Sequence, residues 1–177
     1  AEMTGQDIKP GTKEAKAADE AIEAGVVIAA REIIAAGRKD ELTPTQIYDK
    51  LVDLYNRQPN LAVRSSTSVS NQAYSTPAPL AYVASELAGI TNRTSVLEPT
   101  AGNGMLLIAA NPDKVTANEL DKGRFDALKS ILPGAEITQG NALDMDIENN
   151  SFDVVIANPP FGKVGEISNI DHDIVLK

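Results

Sequence analysis

The residues with the clearest chemical potential are Asn158, Pro159, Pro160 and Phe161, which directly follow the apolar run at residues 154–157. This run is short, β-branched and free of polar residues, which is typical of a strand buried on both faces in a parallel sheet. Ligands of open α/β sheets bind outside the carboxyl ends of the strands, so Asn158 is expected where an active site forms. The two prolines restrict the backbone and favour a stiff turn that fixes Asn158 and the Pro159 carbonyl.

This turn offers two hydrogen-bond acceptors and a flat aromatic face. The Asn158 side-chain oxygen and the Pro159 carbonyl can each accept a hydrogen bond, and Phe161 can stack on a planar ring. The combination suits an aromatic amine or an amide. A turn that merely ends a strand is the alternative, because Asn and Pro are common strand breakers and Phe is often a core residue. The position directly after a predicted buried strand favours the catalytic interpretation.

The tetrapeptide resembles the catalytic motif of the DNA adenine-N6 methyltransferases, which has the form Asn/Asp-Pro-Pro-Tyr/Phe. The resemblance implies S-adenosylmethionine as the cofactor and an adenine flipped out of the duplex as the target. It also implies that Phe161 stacks on this adenine while Asn158 and the Pro159 carbonyl hold its exocyclic amine. Two acceptors on the amine would favour its pyramidal, reactive form, so no ionisable base is required.

A glycine-rich segment after another predicted strand is the candidate cofactor loop. The strand covers residues 95–98, and a helix is predicted over residues 105–110. Between them, Gly102 and Gly104 would let the backbone approach a ligand closely. A lone Gly-x-Gly pair is a weak signal, but the segment from Glu98 matches the Glu-Pro-x-x-Gly-x-Gly form of the same methyltransferases. The resemblance places Glu98 near the cofactor ammonium group, and around its amino-acid part it places Thr100, Ala101 and Gly102.

Two further strands are predicted to end in residues that hold the remainder of the cofactor. Glu119 follows the strand at residues 115–118, where an acidic residue can accept hydrogen bonds from ribose hydroxyls, and a helix is predicted over residues 121–132. The strand at residues 136–139 leads into Gly140-Asn141-Ala142. The related methyltransferases usually carry Asp after this glycine, reaching the cofactor adenine, and the Asn141 amide can both donate and accept there. We assign Asn141 and Ala142 to this contact.

The segment Tyr74-Ser75-Thr76-Pro77 is interpreted in two ways. Locally, Thr76 can cap a helix that begins at Pro77 and closes at Gly89. The segment also resembles the motif that adenine methyltransferases carry before the cofactor strand. That resemblance implies that Tyr74 and Thr76 contact the methionine end of the cofactor.

The amino-terminal part of the chain predicts a pair of helices. Helix-forming residues with an apolar period cover residues 14–36 and are expected to end at Gly37. A second helix is predicted from Pro44, with Thr43 and Gln46 in a capping box. Such a pair more often packs or dimerises than catalyses. We therefore predict an amino-terminal helical region at residues 1–57, a linker at 58–73 and a methyltransferase domain at 74–177.

Composition excludes several classes of function. The chain has no cysteine, so it can form neither disulfides nor thiolate zinc sites, which is compatible with the cytoplasm. Its single histidine makes a metal centre unexpected, and no apolar run approaches the roughly 20 residues of a membrane span. The net charge of −9 argues against a large phosphate-binding surface within the chain. Four carboxylates precede the predicted catalytic strand: Asp144, Asp146, Glu148 and Asp153. Because surface carboxylates are common, we interpret them as part of a solvated loop rather than as a metal or acid–base site.

The order of these motifs predicts an α/β fold. We expect the helical pair to precede an incomplete, Rossmann-like sheet of S-adenosylmethionine-dependent methyltransferase type, with parallel strands in the order 3-2-1-4. The resemblance covers residues 74–162 in the gamma arrangement, in which the target-recognition region follows the catalytic domain. We therefore expect this chain to be the amino-terminal piece of a larger protein and to be inactive alone. Most of the DNA contact would then come from regions absent from it, while the oligomeric state stays open.

Two alternatives to the DNA methyltransferase remain. Protein-glutamine methyltransferases also combine Asn-Pro-Pro-Tyr with an amino-terminal helical domain, and there the amide replaces the adenine amine. The segment at residues 74–77, the loop led by Glu98, and Phe161 in place of Tyr favour the DNA substrate. The other alternative is a non-catalytic module that retains the fold for assembly. It is supported by Asn141, which replaces the usual Asp, and by the negative net charge of the chain.

Overall fold

The computed structural model describes residues 12–58, residues 76–159 and Ile174. The α-helices in these ranges are Lys13–Lys39 (α1), Pro44–Asn56 (α2), Ala78–Leu87 (α3) and Lys122–Ile131 (α4). The strands are Val96–Glu98 (β1), Val115–Glu119 (β2), Glu136–Gln139 (β3) and Val154–Val155 (β4). No helix in this part of the chain is long and apolar enough to cross a bilayer.

The strands form one parallel sheet in the order β3-β2-β1-β4, which confirms the predicted fold class and strand order. In this register, Val96 of β1 lies opposite Val115 on one side and Val154 on the other. Parallel pairing brings the carboxyl ends of all four strands to the same edge. The segments that follow Glu98, Glu119 and Gln139 are therefore neighbours.

Helix α1 was expected to end at Gly37, but it continues through this residue to Lys39. A Cβ atom on Gly37 would lie 2.6 Å from Ile47 Cγ1 in α2, which is closer than two carbons can approach. The glycine therefore permits close packing of the two helices rather than ending the first. The predicted capping box begins α2, with Thr43 N donating to Gln46 Oε1 over 2.9 Å and Gln46 N donating to Thr43 Oγ1 over 3.3 Å.

One hydrophobic cluster joins the helical pair to the sheet. It includes Val27 of α1, Leu51 of α2, Val96 of β1 and Leu128 of α4, all of which are fully buried. Removing any of these side chains from the core would forfeit apolar burial worth roughly 1.5–3 kcal/mol. The predicted boundary at residues 58–73 lies almost wholly outside the described residues and stays a prediction.

Strand β4 differs from its predicted burial on both faces. Val155 is 63% exposed, and Val154 is only partly buried. The physical reason is that β4 is an edge strand in the described part of the chain, with a neighbouring strand on one side only. Val155 and Leu97 instead line an open cavity of about 560 Å³, to which Ile174 also contributes.

Candidate active site at the carboxyl edge of the sheet

The glycine loop follows β1 and turns through two left-handed residues. Gly102 has φ +56° and Gly104 has φ +83°, conformations that side-chain-bearing residues rarely adopt. A Cβ at Gly104 would lie 2.7 Å from Leu128 Cδ1, so this glycine is needed for packing against α4. A Cβ at Gly102 would meet no atom within 4 Å. The loop therefore leaves open space on its Gly102 side, where a ligand can approach the backbone.

The segment after the loop is not the predicted helix over residues 105–110. Only Met105–Leu107 form a short 3-10 helix, and helix α1 supplies the hydrogen bonds that a longer helix would have made. Arg31 Nη1 donates to the Leu107 carbonyl over 2.8 Å, and Arg38 Nη1 donates to the Ala109 carbonyl over 2.8 Å. Buried carbonyl groups need such partners, and burial in turn lowers the pKa of Arg31.

Glu119, the predicted ribose ligand, ends β2 and is buried. Its Oε2 accepts a hydrogen bond from Gly102 N over 2.7 Å, and its Oε1 accepts one from Asp121 N over 2.7 Å. Each carboxylate oxygen can accept more than one hydrogen bond, so a ribose hydroxyl could still bind to it. Glu119 therefore also fixes the backbone of the glycine loop.

Glu98 is the last residue of β1, directly before this loop, and is 2% exposed. Its Oε2 is buried without a hydrogen-bond partner among the described residues, and the same holds for Thr100 Oγ1. Burial raises the pKa of Glu98 well above its usual range, and the negative charge of Glu119 raises it further. Buried acceptors without partners beside an open loop fit the ammonium group that the family resemblance implies at this position, because such a cation would donate the missing hydrogen bonds.

Asn118 holds the two neighbouring loops together and was missed from the sequence. Its Nδ2 donates to the Pro99 carbonyl over 3.1 Å and to the Gly140 carbonyl over 2.9 Å. Its Oδ1 accepts from Thr138 Oγ1 over 3.0 Å. An asparagine inside a predicted strand of a parallel sheet was the signal that could have found it, because such strands are buried and buried amides need partners.

Asn141, assigned to the cofactor adenine, is exposed after β3. Its Oδ1 accepts a hydrogen bond from Leu143 N over 3.1 Å and so caps the short 3-10 helix Ala142–Asp144. Ala142 is buried. The structure thus puts Asn141 beside the Gly140 that Asn118 binds, at the same edge as Glu119.

Asn158 lies at the end of the β4 segment and is partly buried. Its Nδ2 donates to Thr76 Oγ1 over 3.2 Å, although the two residues are 82 positions apart in the sequence. Thr76 was predicted to cap α3, but the residue before that helix is Pro77 and no side chain caps it. The Thr76 hydroxyl instead contacts the predicted catalytic asparagine.

The structure also places three other residues that the sequence analysis considered. Pro159 is buried beside Asn158, and Ala101 is buried in the glycine loop. Asp153 Oδ2 accepts hydrogen bonds from the backbone N and the hydroxyl of Ser95, both over 2.8 Å, so it fixes β4 beside β1.

Within the described ranges no group of His, Cys, Asp and Glu could hold a metal ion. Three predicted site residues lie outside the described residues: Tyr74, Pro160 and Phe161.

Comparison with known proteins identifies this architecture. No protein-family model and no curated protein matches the chain. Among solved structures, the chain is similar to PH1948 from Pyrococcus horikoshii, described as a putative RNA methyltransferase, with 25% identity and a TM-score of 0.55. The chain has a methyltransferase fold. A second structure, TrmN from Thermus thermophilus, matches with 21% identity and a TM-score of 0.44.

The match to PH1948 covers 73% of this chain and 66% of that protein. The match to TrmN covers 62% of this chain and 33% of TrmN. This chain therefore corresponds to somewhat less than two thirds of the length of the first methyltransferase and to about one third of the second.

Proposed function

We propose that this protein transfers a methyl group from S-adenosylmethionine to the exocyclic N6 amine of adenine in DNA. The observation that carries this proposal is the hydrogen bond from Asn158 Nδ2 to Thr76 Oγ1. It orients the amide so that Oδ1 remains as the acceptor for a target amine. The likeness of the fold to PH1948 supports methyl transfer as the reaction.

The residues of the chain have distinct roles in this proposal. Bound S-adenosylmethionine would supply an electrophilic methyl group. Asn158 Oδ1 and the Pro159 carbonyl would accept hydrogen bonds from the target amine, which concentrates its lone pair on nitrogen. Phe161 would stack on the target ring. This scheme requires no ionisable base, so the proton that the methylated amine loses would pass to water.

The cofactor would be held at the adjacent strand ends. Glu98 and Thr100 have buried, unpartnered oxygens that suit the ammonium group, and Gly102 leaves open space for the amino-acid part. Glu119 would accept hydrogen bonds from the ribose. The other residues assigned to cofactor binding are Tyr74, Thr76, Ala101, Gly104, Asn141 and Ala142.

RNA is a second candidate substrate, and the likeness to PH1948 favours it. The target amine of adenine is the same in both nucleic acids, so Asn158 and the Pro159 carbonyl would serve equally. RNA and DNA differ at the 2′-hydroxyl, and recognition of that group would decide between them.

The cofactor part of the proposal is tested by calorimetric titration with S-adenosylhomocysteine. A Gly102→Val variant should lose binding, because its side chain would fill the open space in the loop. Gly89→Val is the matched control, since Gly89 also has a positive φ, +68°, and a Cβ there would likewise meet no atom within 4 Å. The control carries the same backbone strain outside the site, so equal binding by both variants would contradict the assigned cofactor position.

The substrate is tested by incubating the full-length protein with methyl-labelled S-adenosylmethionine and DNA or RNA of the same sequence. Nucleoside analysis should find N6-methyladenine in DNA and no label with an Asn158→Ala variant. Label in RNA alone would favour the second candidate. A labelled release-factor-like protein would favour the glutamine alternative, and no label on any substrate would favour a non-catalytic module.

A further inference from the structure

We propose that Glu23 of helix α1 is a positioning residue for the cofactor loop, acting through Asn103. Glu23 lies outside every sequence motif that suggested chemistry, in a helical region that was expected to serve packing or dimerisation. Its Oε2 accepts a hydrogen bond from Asn103 Nδ2 over 2.8 Å, across 80 positions of sequence. This inference rests on the proposed function, since it assigns a role in cofactor binding.

Asn103 is the side chain between the two left-handed glycines of the loop. It is 5% exposed, and its amide is turned toward α1 rather than toward solvent. The neighbouring Gly102 N is bound by Glu119 Oε2 over 2.7 Å. The tip of the loop is therefore held from two sides: a β2 carboxylate binds its backbone, and an α1 carboxylate binds its side chain.

Helix α1 can transmit this constraint because it is itself firmly anchored. Val27 and Ile34 on the same helix are buried in the common core. Arg31 and Arg38 donate to carbonyls in the segment that follows the loop. One helix therefore holds both the tip of the loop and the residues behind it, so the position of Glu23 relative to the loop is fixed.

Loss of the Glu23 carboxylate should disturb the loop rather than only remove a contact. Asn103 Oδ1 is already buried without a partner among the described residues. Without Glu23, its Nδ2 would also be buried and unpaired, which is costly enough to drive the side chain toward water. Asn103 lies directly between Gly102 and Gly104, so a change in its packing acts on the backbone that forms the open side of the loop.

The test compares four forms of the chain by titration with S-adenosylhomocysteine: wild type, Glu23→Ala, Glu23→Gln and Glu32→Ala. Glu23→Ala should weaken binding roughly tenfold, the effect of one charged hydrogen bond. Glu23→Gln should bind within about threefold of wild type, because its amide oxygen still accepts from Asn103. Glu32→Ala is the matched control, since it removes the same charge from an exposed position of the same helix.

A double-mutant cycle separates positioning from general destabilisation. If Glu23 acts through Asn103, the Glu23→Ala/Asn103→Ala variant should bind no more weakly than Asn103→Ala alone. Additive losses, or equal binding by Glu23→Ala and Glu32→Ala when the wild type binds, would overturn the inference and leave the proposed function intact. Absence of binding by the wild type would overturn the cofactor assignment itself, and the inference with it.

Discussion

The amide of Asn158 donates to the hydroxyl of Thr76 over 3.2 Å, and this bond joins the segment before α3 to the end of β4. An asparagine amide has one donor end and one acceptor end, so fixing the donor end also fixes the direction of Oδ1. A side chain that must accept from a target amine benefits from this restraint because less motion is lost when the amine binds. Thr76 thus gives the predicted catalytic asparagine a defined orientation.

Replacing Thr76 with Val should therefore slow methyl transfer. Valine has nearly the shape of threonine but no hydroxyl, so the Asn158 amide could rotate, and we expect the single-turnover rate to fall about tenfold. Thr76→Ser keeps the acceptor and should stay within about threefold of wild type. The rates can be measured on the full-length protein with labelled S-adenosylmethionine and an adenine-containing oligonucleotide. Equal rates for the Val and Ser variants would show that the hydroxyl does not orient Asn158.

The buried carboxyl of Glu98 predicts an unusual dependence of stability on pH. Its pKa is raised in the folded state, well above its ordinary value of 4.5, mainly by burial. In the unfolded chain Glu98 has its ordinary pKa. At pH values between this pKa and the raised pKa of the folded chain, the folded chain binds more protons than the unfolded chain, so the Glu98 contribution makes stability fall as pH rises. Below the unfolded pKa the carboxyl is neutral in both states, and the penalty disappears.

A Glu98→Gln variant removes this titration while keeping the shape of the side chain. The unfolding midpoint of the variant relative to wild type should therefore increase as pH rises from about 4.5 toward neutrality. The informative quantity is the change of this difference with pH, since any constant effect of the amide cancels. Thermal unfolding at a series of pH values measures it. A difference that does not vary with pH would mean that Glu98 titrates normally.

Much of the fold was accessible from the sequence because local patterns specify it. Thr43 and Gln46 form the capping box that begins α2. Asp121 caps α4, since its Oδ1 accepts a hydrogen bond from Gly123 N over 2.9 Å. The predicted strands were found because short β-branched runs ended in Gly, Asn or acidic residues. Motif order then gave the strand order that the sheet has.

The remainder of the site depends on contacts that leave no local signature. The bond between Glu23 and Asn103 and the bonds of Arg31 to the Leu107 region span more than 70 positions, so no periodicity or cap predicts them. Gly37 was misinterpreted for a related reason. A glycine near the end of a helical pattern usually ends the helix, whereas here Ile47 of another helix determines its role.

Asn118 should be more important for stability than an ordinary strand residue. Asn118→Asp keeps the shape but replaces the Nδ2 donor with an acceptor, which would face the Pro99 and Gly140 carbonyls. Leaving one buried and one partly buried carbonyl unpaired and adding a buried negative charge should cost about 3 kcal/mol or more near neutral pH. Denaturant unfolding would measure the loss. Asn141→Asp is the control, because Asn141 is exposed and its Oδ1 is an acceptor in both forms.

Two glycines of helix α1 should respond in opposite ways to replacement by alanine. At Gly25 a Cβ would meet no atom within 4 Å, so Gly25→Ala should raise the free energy of unfolding by up to about 1 kcal/mol through higher helix propensity. At Gly37 a Cβ would lie 2.6 Å from Ile47 Cγ1 and 2.9 Å from Ile47 Cδ1. Gly37→Ala should therefore lower stability by roughly 1–3 kcal/mol despite the same gain in propensity.

Denaturant unfolding of the two alanine variants tests how closely α1 and α2 pack. A Gly37→Ala/Ile47→Val double variant adds a direct check, since the shorter valine side chain removes the Cδ1 atom that the new methyl group would approach. The stability losses of Gly37→Ala and Ile47→Val should be less than additive, because Ile47→Val removes one of the two atoms that the new methyl group would crowd. If Gly37→Ala instead stabilises the protein as Gly25→Ala does, the two helices are farther apart at this position, and Gly37 is an ordinary helical glycine.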